Sequence, residues 1–242
     1  GNSAGILLPK EWLGNQVKII LIARTLEIKK EVLSMLSDYL EDILGIYITG
    51  SYARGEQEKD SDIDIVAISK NTKKEIISGK YHISIITLEG AKKTLESNPI
   101  LILPKLREAR VILNNSLLSE LVSVKINKNS FKSFLEENRR IMKISKGFID
   151  TDKEQGFEYL DSINIIYSLI LRLRGMFMIK CFLDDKKYSK KEFLKFIHID
   201  EAEKIYNIYK FIRDNKKIKE KIKIKTAEDL LEILKKEVKK YE

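Results

Sequence analysis

The sequence is poor in cysteine and in long apolar runs, and each shortage excludes a class of protein. Its single cysteine, Cys181, has no partner in the chain for a disulfide and lies in an apolar stretch, which favours a buried thiol over a nucleophile. We therefore expect a reducing, cytoplasmic setting. The most apolar region, residues 163–182, is interrupted by Arg172, Arg174 and Lys180. We therefore expect no membrane span.

Acidic residues are outnumbered by basic ones, 36 to 45, which gives a formal net charge of +9. This balance favours anionic partners such as nucleotides or RNA. The lysines are scattered along the chain, so solvated helix faces account for many of them. A basic nucleic-acid binder is one hypothesis, and it predicts an affinity that falls steeply with salt.

Two carboxylates begin the second of two predicted strands. Both strands are short, apolar and rich in β-branched residues, with cores at residues 46–49 and 66–68. Because side chains alternate along a strand, Asp62 and Asp64 should point the same way while Ile63 points into the core. Their Cα atoms should lie about 6.5 Å apart, a spacing from which both carboxylates can reach one hard cation. The pattern therefore predicts a metal site.

Gly50 and Ser51 lie between these two strands, where we predict a glycine turn. Glycine allows a positive φ and the close approach of a phosphate, and the serine adds a hydroxyl beside exposed backbone N–H groups. Either a Gly-Ser turn or an Asp-x-Asp pair alone is a common surface feature. Their order between two apolar strands favours a phosphate cradle that faces a cation site.

The run from Gly50 to Gly55, followed by Ser61 to Asp64, resembles the signature of the DNA polymerase beta-like nucleotidyltransferase superfamily. The resemblance is to its small prokaryotic members, which include the minimal nucleotidyltransferases and the kanamycin nucleotidyltransferase-like enzymes. It covers about residues 27–118. Beyond them the chain resembles these families only in being helical.

The resemblance implies an enzyme that moves a nucleoside monophosphate from a nucleoside triphosphate to a hydroxyl acceptor. The acceptor could be a small molecule, a protein or an RNA, and a homodimer is compatible with the resemblance. Asp62 and Asp64 would hold Mg²⁺ or Mn²⁺ and carry catalysis, and Gly50, Ser51 and Arg54 would bind the nucleotide. Lys105 and Arg107, on a predicted short helix, are accessory candidates that could bind a triphosphate or simply form a solvated face.

The third predicted strand, residues 81–87, departs from the family. The family usually places a third carboxylate there, and the matching position here is Ser84. By alternation, His82 and Ser84 should both face Asp62 and Asp64. Mg²⁺ needs only one or two protein carboxylates, so nucleotide binding could survive, whereas catalysis is in doubt and His82 is an alternative base. The alternative function is a catalytically weak or inactive nucleotide- or RNA-binding module of the same fold.

The remaining patterns predict the domain organisation. Residues 1–118 are expected to form an α+β nucleotidyltransferase domain, a mixed sheet flanked by helices, and residues 119–242 an all-α helical bundle. In the first domain we predict helices over residues 10–23 and 27–44, with Gly45 as a C-terminal cap, and a loop or short exposed helix over 69–80. In the second, capping boxes at Thr151 and Ser189 should each open a helix, the first reaching about Phe182.

Overall fold

A computed structural model describes residues 9–15, 22–218 and 220–241, and the chain divides into two compact units at residues 41 and 42. The first unit contains helix α1 (Ile22–Met35) and short 3₁₀ helices at Lys10–Trp12 and Ser37–Tyr39. Of the helix predicted over residues 10–23, residues 16–21 lie outside the described part of the chain.

The second unit is a five-stranded mixed sheet followed by helices, which confirms the predicted fold class. The strands are β1 (Ile43–Thr49), β2 (Ile63–Ser69), β3 (Lys74–Ser78), β4 (Tyr81–Thr87) and β5 (Arg110–Leu113), in the order β3-β4-β2-β1-β5. The helices are α2 (Gly50–Arg54), α3 (Leu88–Ser97), α4 (Leu103–Arg107), α5 (Asn115–Val122), α6 (Lys132–Glu154), α7 (Asn164–Leu183), α8 (Lys190–Ile197), α9 (Ala202–Arg213) and α10 (Ile224–Lys239). The predicted domain boundary at residue 118 stays a prediction.

The pairing of β2 with β4 determines where polar side chains meet. β2 runs antiparallel to β1 and parallel to β4, so the beginnings of β2 and β4 lie side by side. One face of the sheet packs on α3, α4 and α5 through a buried cluster that includes Tyr47, Val66, Leu95, Leu103 and Leu121. Burial of nearly every residue of β1 and β2 explains their continuous apolar sequences. The polar start of β2 is where this pattern breaks.

Helix α1 ends at Met35, so the prediction of one helix over residues 27–44 is wrong in its last part. Ile43 and Gly45 belong to β1. A Cβ at Gly45 would overlap the ring of Tyr47, whose hydroxyl donates a hydrogen bond of 3.0 Å to the Asn114 carbonyl. The glycine therefore makes room for a buried tyrosine, and it is not a helix cap.

The loop or helix predicted over residues 69–80 is also wrong, because Lys74–Ser78 forms the edge strand β3. Its side chains are mostly exposed, and Ile77 is 78% exposed. An edge strand with solvated side chains on both faces carries no period-2 signal. Its charged residues resemble those with which natural edge strands resist further pairing.

The helical region packs around α7, which is apolar on nearly all sides because its residues form the centre of a buried cluster with α6, α8, α9 and α10. The capping box predicted at Thr151 is wrong: Thr151 lies in the last turn of α6 and its hydroxyl donates to the Gly147 carbonyl at 3.0 Å. The carboxylate of buried Asp152 accepts from the Asp161 N–H at 3.1 Å, which holds the following segment as a loop. Of the capping box predicted at Ser189, the serine half is confirmed, since Ser189 accepts from the Glu192 N–H, while the Glu192 carboxylate instead accepts from Lys195.

Among the helices of the described residues, we find none that is long and apolar enough to cross a membrane.

Candidate active site

Asp62 lies immediately before β2 and Asp64 is the second residue of that strand. Ile63 and Ile65 are buried, as alternation predicts. Asp64 pairs with Thr49 of β1 on one side and with His82 of β4 on the other, and its side chain remains 43% exposed. The carboxylate is therefore held by two neighbouring strands and still reachable by a ligand.

The charges around Asp64 suit a divalent cation. Burial raises the pKa of the Asp64 carboxyl, and the negative charge of Asp62 raises it further. The positive charges of Lys105 and His82 oppose this rise. A bound cation would remove the cost of bringing the two carboxylates together. Across the residues that the structure describes, no group of three or more His, Cys, Asp or Glu is placed to hold a metal. The oxygen pair fits Mg²⁺ or Mn²⁺, which can take their other ligands from water and phosphate.

Gly50 lies against the side chain of Asp64, the second acid of the pair. Where a glycine turn was predicted, Gly50 is the first residue of the short helix α2. Its φ is +69°. A Cβ at this position would collide with Oδ2 of Asp64. Glycine is therefore required here both by the backbone conformation and by the position of the carboxylate.

We expect Gly50→Ala to destabilise the fold by about 1–2 kcal/mol from the left-handed backbone alone. It should also displace Asp64 and abolish any activity that depends on it. Gly156→Ala is a matched control, because Gly156 has a φ of +74° and nothing within 4 Å of an added Cβ. Thermal unfolding and activity of both variants check the prediction; equal activity losses would contradict it.

A partly buried carboxylate that the sequence analysis missed occupies the predicted phosphate cradle. Glu108 accepts a hydrogen bond from the Gly50 N–H at 2.7 Å and another from the Arg54 guanidinium at 2.6 Å. Arg54 also pairs with Glu56 at 2.8 Å. Two of the predicted nucleotide-binding groups are thus engaged by protein carboxylates, and Ser51, the second residue of α2, is not among these contacts. Burial raises the pKa of Glu108, and the contact with Arg54 opposes this rise without cancelling it.

His82, and not Ser84, is the β4 residue next to Asp64. Nδ1 of His82 lies 3.8 Å from Oδ1 of Asp64, and Nε2 lies 3.0 Å from Oε2 of Glu75 on β3. Ser84 pairs with Val66, two residues further along β2, and its hydroxyl donates to Glu75 at 2.9 Å. The sequence analysis missed Glu75 because it predicted a loop or a short exposed helix for this segment, which is strand β3.

The nucleotidyltransferase domain family matches residues 27–149, just over half of the 242-residue chain. The chain belongs to this family of transferases. The curated "Putative protein adenylyltransferase MJ1305" of Methanocaldococcus jannaschii is 34% identical over 119 residues, which span 47% of this chain and 80% of that protein.

Two solved structures are also similar to this nucleotidyltransferase-family chain, both at low identity. The spectinomycin adenyltransferase AAD(9) from Enterococcus faecialis, solved with ATP and spectinomycin, is 15% identical with a TM-score of 0.44 and covers 90% of this chain and 99% of its own. A nucleotidyltransferase-like protein from Exiguobacterium sibiricum is 12% identical with a TM-score of 0.39, and the match covers 88% of this chain and 75% of that protein.

In this nucleotidyltransferase-family chain, the two accessory basic residues behave differently. The charge of Lys105 acts on Asp64, so α4 brings this lysine towards the carboxylate pair. The guanidinium of Arg107 instead lies over the ring of Phe182, 4.9 Å from its centroid. Of the two, Lys105 is the better candidate for contact with an anionic ligand at Asp64.

The helical region of the nucleotidyltransferase-family chain also contributes to the surroundings of the pair. The positive charge of Arg213, at the end of α9, opposes the rise that burial causes in the pKa of Asp64. One turn earlier, Lys210 pairs with Glu58 at 3.1 Å, in the segment that leads to Asp62. Because lysines and arginines are scattered along the chain, the sequence did not distinguish Lys210 and Arg213 from the other basic residues. The fold brings the end of α9 close to the segment that leads to Asp62.

Proposed function

We propose that the chain transfers a nucleoside monophosphate from a nucleoside triphosphate to a hydroxyl acceptor. The observation that carries this proposal is the position of Asp64, exposed between β1 and β4 and in contact with Gly50. Membership of the nucleotidyltransferase domain family supports the reaction class. The name of the Methanocaldococcus relative makes ATP the first donor to test and a protein hydroxyl the first acceptor.

In the proposed reaction the acceptor oxygen attacks the α-phosphorus, a new P–O bond forms, and the bond to the departing pyrophosphate breaks. Asp62 and Asp64 would hold Mg²⁺ or Mn²⁺, which when bound neutralises charge on the phosphate oxygens. Because Glu108 accepts from the Gly50 N–H, Ser51 is the member of the glycine-serine pair left to contact the β- and γ-phosphates. Lys105 and Arg213 add positive charge on the side of Asp64.

A second candidate function has its own support. The resemblance implies a third carboxylate at Ser84, whose hydroxyl instead donates to Glu75 at 2.9 Å, and the residue beside Asp64 on β4 is His82. The chain would then bind nucleotide or RNA without turnover.

One assay separates these candidates. The protein is incubated with Mg²⁺, α-labelled ATP and candidate acceptors, among them the protein itself, small aminoglycoside-type alcohols and RNA ends. Label on an acceptor that disappears in Asp64→Asn supports the transferase. Nucleotide binding with no transfer to any of these acceptors contradicts it and supports the binding module. Salt-sensitive RNA binding that ignores Asp64→Asn supports a basic nucleic-acid binder.

A further inference from the structure

Two segments of the helical region, outside the candidate active site, run side by side. Residues 157–160, between α6 and α7, lie antiparallel to residues 221–224, where the chain enters α10, and Tyr159 is paired with Lys223. Two backbone hydrogen bonds, of 2.9 and 3.1 Å, join the segments on either side of this pair. We call the two segments together the ribbon.

The ribbon turns an apolar side chain inward and basic side chains outward. Ile222 is 4% exposed and belongs to the buried cluster around α7, whereas its neighbours Lys221 and Lys223 are exposed. Because paired residues of antiparallel segments share a face, Tyr159 lies on the outer face with Lys223. Nζ of Lys221 lies 5.8 Å from the centroid of the Tyr159 ring. The outer face therefore places two lysines beside an aromatic ring.

A second ring lies close to the first along the chain. Phe157 precedes Tyr159 by two residues, and its side chain is 45% exposed. Tyr159 is itself only half-buried. Rings that water reaches in this way are available to stack on a planar ligand.

Acidic residues also border the ribbon, but they hold its lysines weakly. The Glu158 carboxylate lies 4.0 Å from Nζ of Lys223, and both side chains are about two-thirds exposed. Glu220 and Asp161 are exposed at the ends of the ribbon. Exposed ion pairs contribute little free energy, so a phosphate can replace a carboxylate as the partner of these lysines.

Basic and aromatic side chains recur along the chain between the ribbon and the candidate active site. Lys216 is exposed, and its Nζ lies 5.9 Å from the centroid of the Phe211 ring, which is 40% exposed. Arg213, whose charge acts on Asp64, ends α9. At about 3.5 Å per residue, the ten steps from Arg213 to Lys223 span at most about 35 Å. The ribbon is therefore a separate surface within reach of the candidate site.

We propose that the ribbon binds single-stranded RNA, with bases stacked on its two rings and phosphates paired with its two outward lysines. Aromatic rings stack on bases of any sequence, and lysines neutralise the phosphates. A duplex keeps its base faces covered, so it cannot use the rings. The exposed Glu158 carboxylate, next to Tyr159, can accept a hydrogen bond from a 2′-hydroxyl, which DNA lacks. The proposal does not rest on the transfer reaction.

The fluorescence anisotropy of a short labelled oligouridine measures binding to the full chain. Lys221→Gln combined with Lys223→Gln is expected to weaken binding about 10-fold at low salt and to reduce the slope of log affinity against log salt by about 1.4. Lys236→Gln combined with Lys239→Gln removes the same charge from the last turn of α10, and its affinity should stay within about 2-fold of the wild type. Equal losses in the two double variants, or no binding by the wild type, overturn the proposal.

Variants of the rings test the stacking. Phe157→Ala and Tyr159→Ala are each expected to weaken binding about 10-fold, whereas Tyr159→Phe keeps a ring and should bind as the wild type does. Thermal unfolding shows whether each variant is folded. Phe157 is the more exposed of the two rings, so Phe157→Ala decides the matter if Tyr159→Ala does not fold. Wild-type affinity in Phe157→Ala overturns the stacking site.

Unlabelled competitors test the class of ligand. Oligouridine should compete at least about 10-fold better than duplex RNA or polyglutamate. Equal competition by either of these shows attraction by charge alone and overturns the proposal, and equal competition by oligothymidine overturns the assignment to RNA. Asp64→Asn should bind oligouridine as the wild type does; a loss of binding there places the RNA at the carboxylate pair and also overturns the proposal. Failure of the wild type to transfer label contradicts only the proposed function.

Discussion

Asp64→Asn is expected to lower nucleotidyl transfer by about 10²–10³-fold while the protein stays folded. An asparagine keeps the size of the side chain between β1 and β4 but removes the charge that would hold a divalent cation. Burial raises the pKa of Asp64, so the charged form is disfavoured by the fold, and the variant should be as stable as the wild type or slightly more stable. Transfer of label and thermal unfolding measure the two effects.

A charge-matched control separates the site from the general loss of one acid. Asp60→Asn removes a carboxylate from the exposed segment just before Asp62 and should leave transfer within about 2-fold, because most surface substitutions away from special features have small effects. Full transfer by Asp64→Asn would contradict the proposed role of the pair. Loss of transfer in both variants would indicate that the charge of the segment matters more than the position of Asp64.

The parts of the fold that could be predicted are those with a local signal. β4 was predicted at residues 81–87 and has those bounds, because it combines β-branched content with alternation. The start of β2 was equally clear, since two acids interrupt an otherwise continuous apolar strand. The candidate metal pair was therefore found from local sequence alone, although its role stays a prediction.

The parts that could not be predicted depend on contacts between distant segments. Glu108 lies 58 residues from Gly50 in sequence, and nothing near it marks a partner for that N–H. Glu75 lies on an edge strand with exposed side chains on both faces, so no periodicity indicated a strand. Arg213 reaches the surroundings of Asp64 only because α9 packs in the helical region beside the sheet. In each case tertiary structure, and not local preference, brings the residue to the site.

Glu108→Ala is expected to have the largest effect on stability, a loss of about 2–4 kcal/mol. The change removes the acceptor of the Gly50 N–H and a partner of the Arg54 guanidinium. The ion pair is partly buried, because the side chain of Glu108 is 17% exposed and that of Arg54 is 22% exposed. Nothing else in the described contacts takes the place of both oxygens. Chemical denaturation with a constant m-value measures the loss.

Glu120→Ala is the matched control for this acid, because Glu120 pairs with Lys92 at 2.7 Å while both side chains are about half exposed. An exposed pair of this kind contributes about 0–1 kcal/mol. A loss in Glu108→Ala no larger than that in Glu120→Ala would contradict the role of Glu108 in holding Gly50 and Arg54 together.

Glu108 should also give the stability a characteristic dependence on pH. Burial raises its folded-state pKa above the ordinary value of 4.5, so the native state binds the proton more tightly than the unfolded state does. The resulting stabilisation is complete below the ordinary value and is lost as the pH rises through the raised one. Glu108→Gln cannot titrate and still offers an oxygen to the Gly50 N–H, so its stability relative to the wild type should improve as the pH rises across this window. A relative stability that worsens with pH would show that the charged form is the one the fold favours, and that the contact with Arg54 outweighs burial.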